Sequence, residues 1–100
     1  MHNPAHPGEI VTEWLEGLKE EGQQITITEL AERIQVTRSL LSRILHGKAP
    51  LTPDIALRLN SALGISADLL MRIQVKYALW VESQKNRPVI QPFHSSARAV

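Results

Sequence analysis

One hundred residues suit a single domain, and an apolar fraction of 43% is enough for a helical core. The absence of cysteine excludes disulfide staples, thiolate nucleophiles and thiolate metal ligands, while the lack of a leader-like opening or of an apolar run near the ~18 residues of a membrane span predicts a cytoplasmic protein with no membrane association. Net charge is only +1, yet it is unevenly spread: residues 1–32 hold seven acids against Lys19 (net −6), residues 33–48 hold Arg33, Arg38, Arg43 and Lys48 with no acid (net +4), and the remainder holds six bases and three acids (net +3). The middle segment is where phosphates could dock.

Five helices are predicted. The first runs from about Glu9 to Glu20, with Ile10, Val11, Trp14, Leu15 and Leu18 on one face and Thr12, Glu13 and Glu16 opposite; Gly22 supplies the stop. The second opens with Thr26 and Glu29 as a capping box, flanked by Ile25 and Leu30 as a hydrophobic staple, and runs to about Ile34. Thr37 caps the third, with Val36 and Leu41 as staple, and Gly47 ends it. Thr52 caps the fourth with Pro53 at its first position, and Gly64 closes it. Ser66 caps the fifth, which reaches about Gln84 along a stripe of Leu69, Leu70, Ile73, Tyr77 and Trp80. From Asn86 the periodicity fades between Pro88 and Pro92, so residues 1–86 are read as the folded domain and 87–100 as a flexible tail.

Residues 30–44 carry the densest signal. Ala31 is small enough for two helix backbones to approach, and Leu30, Ile34, Val36, Leu41 and Ile44 have the spacing that locks two short helices across a tight turn. That pattern is a helix-turn-helix, whose second helix enters the DNA major groove. Burying those residues turns Arg38, Ser39, Ser42 and Arg43 outward as candidate base contacts, arginine being able to bond guanine with two parallel hydrogen bonds. Leu40 lies on the flank, where it could touch a thymine methyl or pack against a neighbouring helix, and packing is the favoured reading. Thr28 and Thr37 lie at helix N-termini, where free N–H groups favour phosphate, and Lys48 follows Gly47; N-capping is the competing account of the threonines. Gln35 stands where a turn of this kind favours glycine, at a cost of about 1 kcal/mol if φ is positive.

The run LAERIQVTRSLLSRILHGKAPLTPDIALRLNSALGIS resembles the phage-repressor (Xre-type) helix-turn-helix domain. With the opening HPGE (His6 to Glu9), the block from Leu51 to Gly64 and QVKYALW (Gln74 to Trp80), it is similar more narrowly to the HigA-type, or VapI-like, antitoxins over residues 4–84. The resemblance implies an all-α dimer that binds a palindromic double-stranded DNA operator, represses its own operon and neutralises a partner ribonuclease toxin. It places base contacts at Arg38, Ser39, Ser42 and Arg43. Gln35 departs from the family pattern, as does the pair Leu69 and Leu70, where a tryptophan is common.

Other chemistries have little to stand on. His2, His6, His46 and His94 do not share metal-ligand spacing; His46 suits the end of a helix or a phosphate neighbour. There is no nucleophile–base set and no glycine-rich phosphate loop, so neither an enzyme nor a cofactor is expected. Glu13, Glu16 and Glu20 on the first helix read as a solvated face or as a docking surface for a basic toxin. Trp14, Tyr77 and Trp80 fall at helical spacing among aliphatic residues, which favours core or interface over base stacking. Leu70, Ile73, Tyr77 and Trp80 are the expected homodimer interface, presenting two recognition helices about 34 Å apart. A free-standing regulator without a toxin is the alternative, and a binding module that has lost DNA contact is opposed by the outward arginines.

Overall fold

The computed structural model describes residues 3–93. It contains α1 (Pro7–Glu20), α2 (Ile27–Ile34), α3 (Arg38–Leu45), α4 (Pro53–Leu63) and α5 (Ala67–Ser83), with no strand among the described residues. The five-helix, all-α expectation holds. Residues 94–100, half of the expected tail and including His94, and His2 lie outside the described residues.

The helix starts are built locally. Thr26 Oγ1 accepts the Glu29 N–H at 3.1 Å while the Glu29 carboxylate accepts the Thr26 N–H at 3.2 Å, the reciprocal box that the sequence spells. Thr37 accepts from Leu40, Thr52 from Ile55 and Ser66 from Leu69. α1 starts two residues earlier than its apolar periodicity indicates, because His6 acts as its cap. Its Nδ1 accepts the Gly8 N–H at 3.1 Å, and Glu9 accepts the His6 N–H at 3.0 Å. An imidazole thus fills a place usually held by a hydroxyl or carboxamide, with Pro7 at the first helical position.

Five helix contacts close a ring: α1 against α3, α3 against α2, α2 against α4, α4 against α5, and α5 against α1. Val11, Leu30, Leu41, Ile44, Leu59 and Leu70 lie inside it with no more than 2% exposure. α1 meets the end of α3 at Gly8, where a Cβ would collide with the carbonyl oxygens of Ile44 and Leu45; only glycine lets the two backbones approach this closely. On the far side, Gln74 Oε1 accepts the Leu51 N–H at 2.9 Å and ties α5 to the loop before α4.

One expectation about the interface stripe needs correction. Leu70 is fully buried in its own protomer's core and has no surface to offer a second subunit. Its stripe splits along α5: Leu70 faces inward near the start, whereas Ile73, Tyr77 and Trp80 are only half-buried. Trp14, on the apolar face of α1, retains 42% exposure, so of its two readings, core or interface, it is not part of the core.

Candidate nucleic-acid interface

The recognition element is an eight-residue helix, about 12 Å long, held between α1 and α2. Leu41, Ile44 and Leu45 point into the core. At 100° per residue, Arg38, Ser42, Ser39 and Arg43 then fan over an arc of about 140° on the opposite side. Arg38, Ser39 and Arg43 are exposed and Ser42 is half-buried, while Leu40 is half-buried and packs against the core. The structure therefore brings the four candidate base contacts onto one convex ridge.

The cations of residues 33–48 differ from most of those on α4, α5 and the segment after it. Arg58 pairs with Asp54, Arg72 with Asp68, and both Lys85 and Arg87 with Glu82. Among the described residues, Arg33, Arg38, Arg43 and Lys48 have no carboxylate within ion-pair distance. Four unneutralised cations within sixteen residues keep their full charge for an external anion.

The candidate phosphate contacts flank this ridge. Thr28 is exposed in the first turn of α2, beside N–H groups that have no helical acceptor. Thr37 is exposed at the N-cap of α3; its oxygen is engaged with Leu40, which leaves the hydroxyl proton available as a donor. Lys48 is exposed just after Gly47, its backbone fixed by an N–H donated to the Arg43 carbonyl at 2.8 Å. His46 caps the end of α3, its Nδ1 lying 2.7 Å from the Ser42 carbonyl.

The turn between α2 and α3 has the left-handed geometry that its spacing requires. Gln35 has φ 62° and ψ 47°, the one positive-φ residue other than glycine among the described residues. Sequence reasoning did not find the residue that supports it. Arg58 on α4 donates from Nη1 to the Ile34 carbonyl at 2.9 Å and to the Gln35 carbonyl at 3.1 Å. Its Nε donates to Asp54 at 3.0 Å. One guanidinium thus closes the C-terminus of α2, where unpaired carbonyls and the negative end of the helix dipole favour a cation. The i, i+4 pair of Asp54 and Arg58 is visible in the sequence, but the contact across 24 positions is not.

No group of three histidine or acidic side chains among the described residues is arranged to hold a metal ion, and no described helix is long and apolar enough to cross a membrane.

A helix-turn-helix whose second helix displays free arginines and hydroxyls defines the class of protein, and comparison with known proteins agrees. The helix-turn-helix family matches residues 20–70, and the chain belongs to that family. It is 33% identical to the Escherichia coli HTH-type transcriptional regulator YddM, itself uncharacterised, across 85% of this chain and 84% of that protein. Among solved structures it is similar to a protein of Nostoc punctiforme assigned as the antidote of a plasmid maintenance system (TM-score 0.71, 32% identity, 83% of this chain and 86% of that one). It is also similar to the Pseudomonas aeruginosa antitoxin HigA, solved with the higBA promoter (TM-score 0.66, 30% identity, 79% and 82%). The Xre-type, HigA-like resemblance drawn from the residues is therefore the one these comparisons support.

Proposed function

We propose that this chain is the antitoxin of a toxin–antitoxin pair and the repressor of its own operon. It acts in the cytoplasm as a homodimer on a palindromic operator and performs no catalysis. One observation carries the reading: α3 projects Arg38, Ser39, Ser42 and Arg43 from a convex ridge with no internal carboxylate to neutralise the cations. In this reading the two arginines read guanine edges, the serines bond to base edges or phosphate, and Thr28, Thr37 and Lys48 fix register on the backbone. The similarity to an antitoxin solved with promoter DNA supports the operator role.

A single unit of this size makes few base contacts, which favours two half-sites read by a dimer. α5 is the natural place for the second copy. Ile73, Tyr77 and Trp80 are half-covered by their own protomer, and Val75 and Leu79 are exposed at 54% and 67%. α1 is the natural face for a basic ribonuclease toxin. Glu13 and Glu16 are exposed there, and Ile10, Trp14, Gly17 and Leu18 line an open groove of about 360 Å³ whose acidic members are Glu13 and Glu21.

The test is a gel-shift titration on the DNA upstream of the chain's own reading frame, repeated over a range of salt. The wild type binds with a steep salt dependence, and Arg38→Ala with Arg43→Ala abolishes discrimination between operator and scrambled DNA. Full discrimination by the double variant contradicts the assignment. Co-expression with the product of the adjacent reading frame tests the second half: Glu13→Lys with Glu16→Lys lowers affinity for that toxin at low salt, and unchanged affinity rules out the α1 face.

A further inference from the structure

Two unpartnered apolar features lie at the same end of the molecule. The first is the segment after α5. Residues 86–93 form neither helix nor strand, and Val89, Ile90 and Phe93 are exposed at 93%, 76% and 105%. Three large apolar side chains within five residues are left mostly uncovered by their own protomer. The radius of gyration, 16.9 Å, exceeds the roughly 12 Å of a compact chain of this length, and the longest axis reaches 58 Å against 24 and 23 Å for the others. The segment is an arm that stands off the body.

The second feature is a groove of about 510 Å³ between α5, the start of α1 and the connection from α3 to α4. Its apolar wall is made by Pro7, Ala49, Pro50, Tyr77, Ala78 and Val81. The His6 ring stacks edge-on against Tyr77, with centroids 5.5 Å apart, and shapes one side. The groove runs along α5 from Gln74 to Lys85, about 16 Å at the helical rise. Pro88 to Phe93, fully extended, span about 20 Å.

We infer that the arm of one copy, through Val89, Ile90 and Phe93, occupies this groove on a second copy, so that the two arms are exchanged reciprocally across the dimer axis; this rests on the homodimer proposed above. The dimensions match, both surfaces are open, and the apolar wall of the groove, rimmed by His6, Lys48, Gln74, Glu82 and Lys85, suits the apolar side chains of the arm. The root of the arm points to exchange rather than fold-back. Glu82 holds Lys85 at 3.1 Å and Arg87 at 3.3 Å, which fixes the departure of the chain from α5. Pro88 follows at once, and a residue before proline is pushed away from the helical conformation toward an extended one. Arg87 therefore cannot readily make the reversal that would lay the arm in its own groove. Exchange also makes the interface self-complementary, each subunit giving one arm and receiving one. The groove is lined by Gly47 and Lys48, directly after the recognition helix, so a docked arm would tie the partner to the segment that sets the pose of α3.

The experiment uses the full chain, whose lack of cysteine makes introduced thiols unambiguous. Sedimentation equilibrium compares the wild type with a variant carrying Val89→Asp, Ile90→Asp and Phe93→Asp. These side chains are largely exposed and lie outside the helices, so the helical circular dichroism is unchanged while the dimer dissociation constant rises at least tenfold. In parallel, Phe93→Cys with Ala78→Cys is oxidised and run without reductant; a covalent dimer is the expected product. An unchanged dissociation constant overturns the arm exchange and leaves the dimer standing on another face. A disulfide closed within one chain, or none at all, overturns the exchange equally. A wild type that stays monomeric at every accessible concentration overturns the homodimer itself.

Discussion

Replacing Arg58 by methionine keeps most of the aliphatic stem and removes the guanidinium, isolating the polar role of this residue. The bond to the Ile34 carbonyl is part-buried and the bond to the Gln35 carbonyl is exposed. A charged donor on a shielded carbonyl is worth about 1.5 kcal/mol at the lower end of its range. The exposed bond can be replaced by water and adds a few tenths. The pair with Asp54 joins side chains that are 39% and 67% exposed, so solvent screening limits it to about 0.3–0.5 kcal/mol. The expected loss is about 2 kcal/mol. For a domain of this size that corresponds to a fall in Tm of about 8–16 °C, measured by thermal denaturation followed at 222 nm. Asp54→Asn should cost only the ion pair, about 0.5 kcal/mol, which separates capping of α2 from simple charge pairing. A loss below 0.5 kcal/mol for Arg58→Met, or equal losses for the two variants, would refute the claim that Arg58 closes the end of α2.

Other substitutions probe the same framework and its reading face. Gln35→Gly relieves a left-handed residue and should raise stability by about 1 kcal/mol in urea denaturation. Gly8→Ala forces a methyl against the backbone carbonyls of Ile44 and Leu45, and should cost about 1–3 kcal/mol by the same measurement. Gly17 has nothing within 4 Å of the position a Cβ would take, so Gly17→Ala should instead stabilise the chain by about 0.5–1 kcal/mol. On DNA, Arg38→Ala or Arg43→Ala singly should lose about 1–3 kcal/mol of operator binding and relax preference at one base position. Lys48→Ala should weaken all sequences alike and shift the salt slope by about one unit, read from titrations on operator and scrambled duplexes.

What could be read from the chain beforehand was what is decided within a few residues. The caps at Thr26, Thr37, Thr52 and Ser66 close onto N–H groups three positions away, so their chemistry is complete in the local sequence. The ridge of α3 was legible for a related reason, since Leu41 and Ile44 cannot turn inward without turning Arg38, Ser39 and Arg43 outward. The cap at His6 was missed because imidazole is seldom counted among capping groups, although Glu9 stood three residues on. Leu70 was misassigned because a stripe shows that a face is apolar and not which helix covers it. α4 buries the first turn of α5 and leaves the later turns open. Arg58 was invisible because its partners come from a different helix.

The eight-residue lengths of α2 and α3 make these distant contacts matter for the reading face. Isolated helices shorter than about 12–15 residues are marginal in water, so neither half of the helix-turn-helix holds its shape by local bonds alone. The rigidity of α3 is supplied from outside: Gly8 lets α1 sit against its last carbonyls, Ala31 and Ile34 seat it on α2, and Arg58 closes the α2 end that leads into it. Three of the four side chains read as base contacts carry none of this burden, because Arg38, Ser39 and Arg43 are exposed. Sequence preference can then change on the ridge without unfolding the domain, whereas loss of a support lowers the population of the binding-competent state and weakens every operator together. Sequence preference and the rigidity that supports it are thereby lodged in different residues.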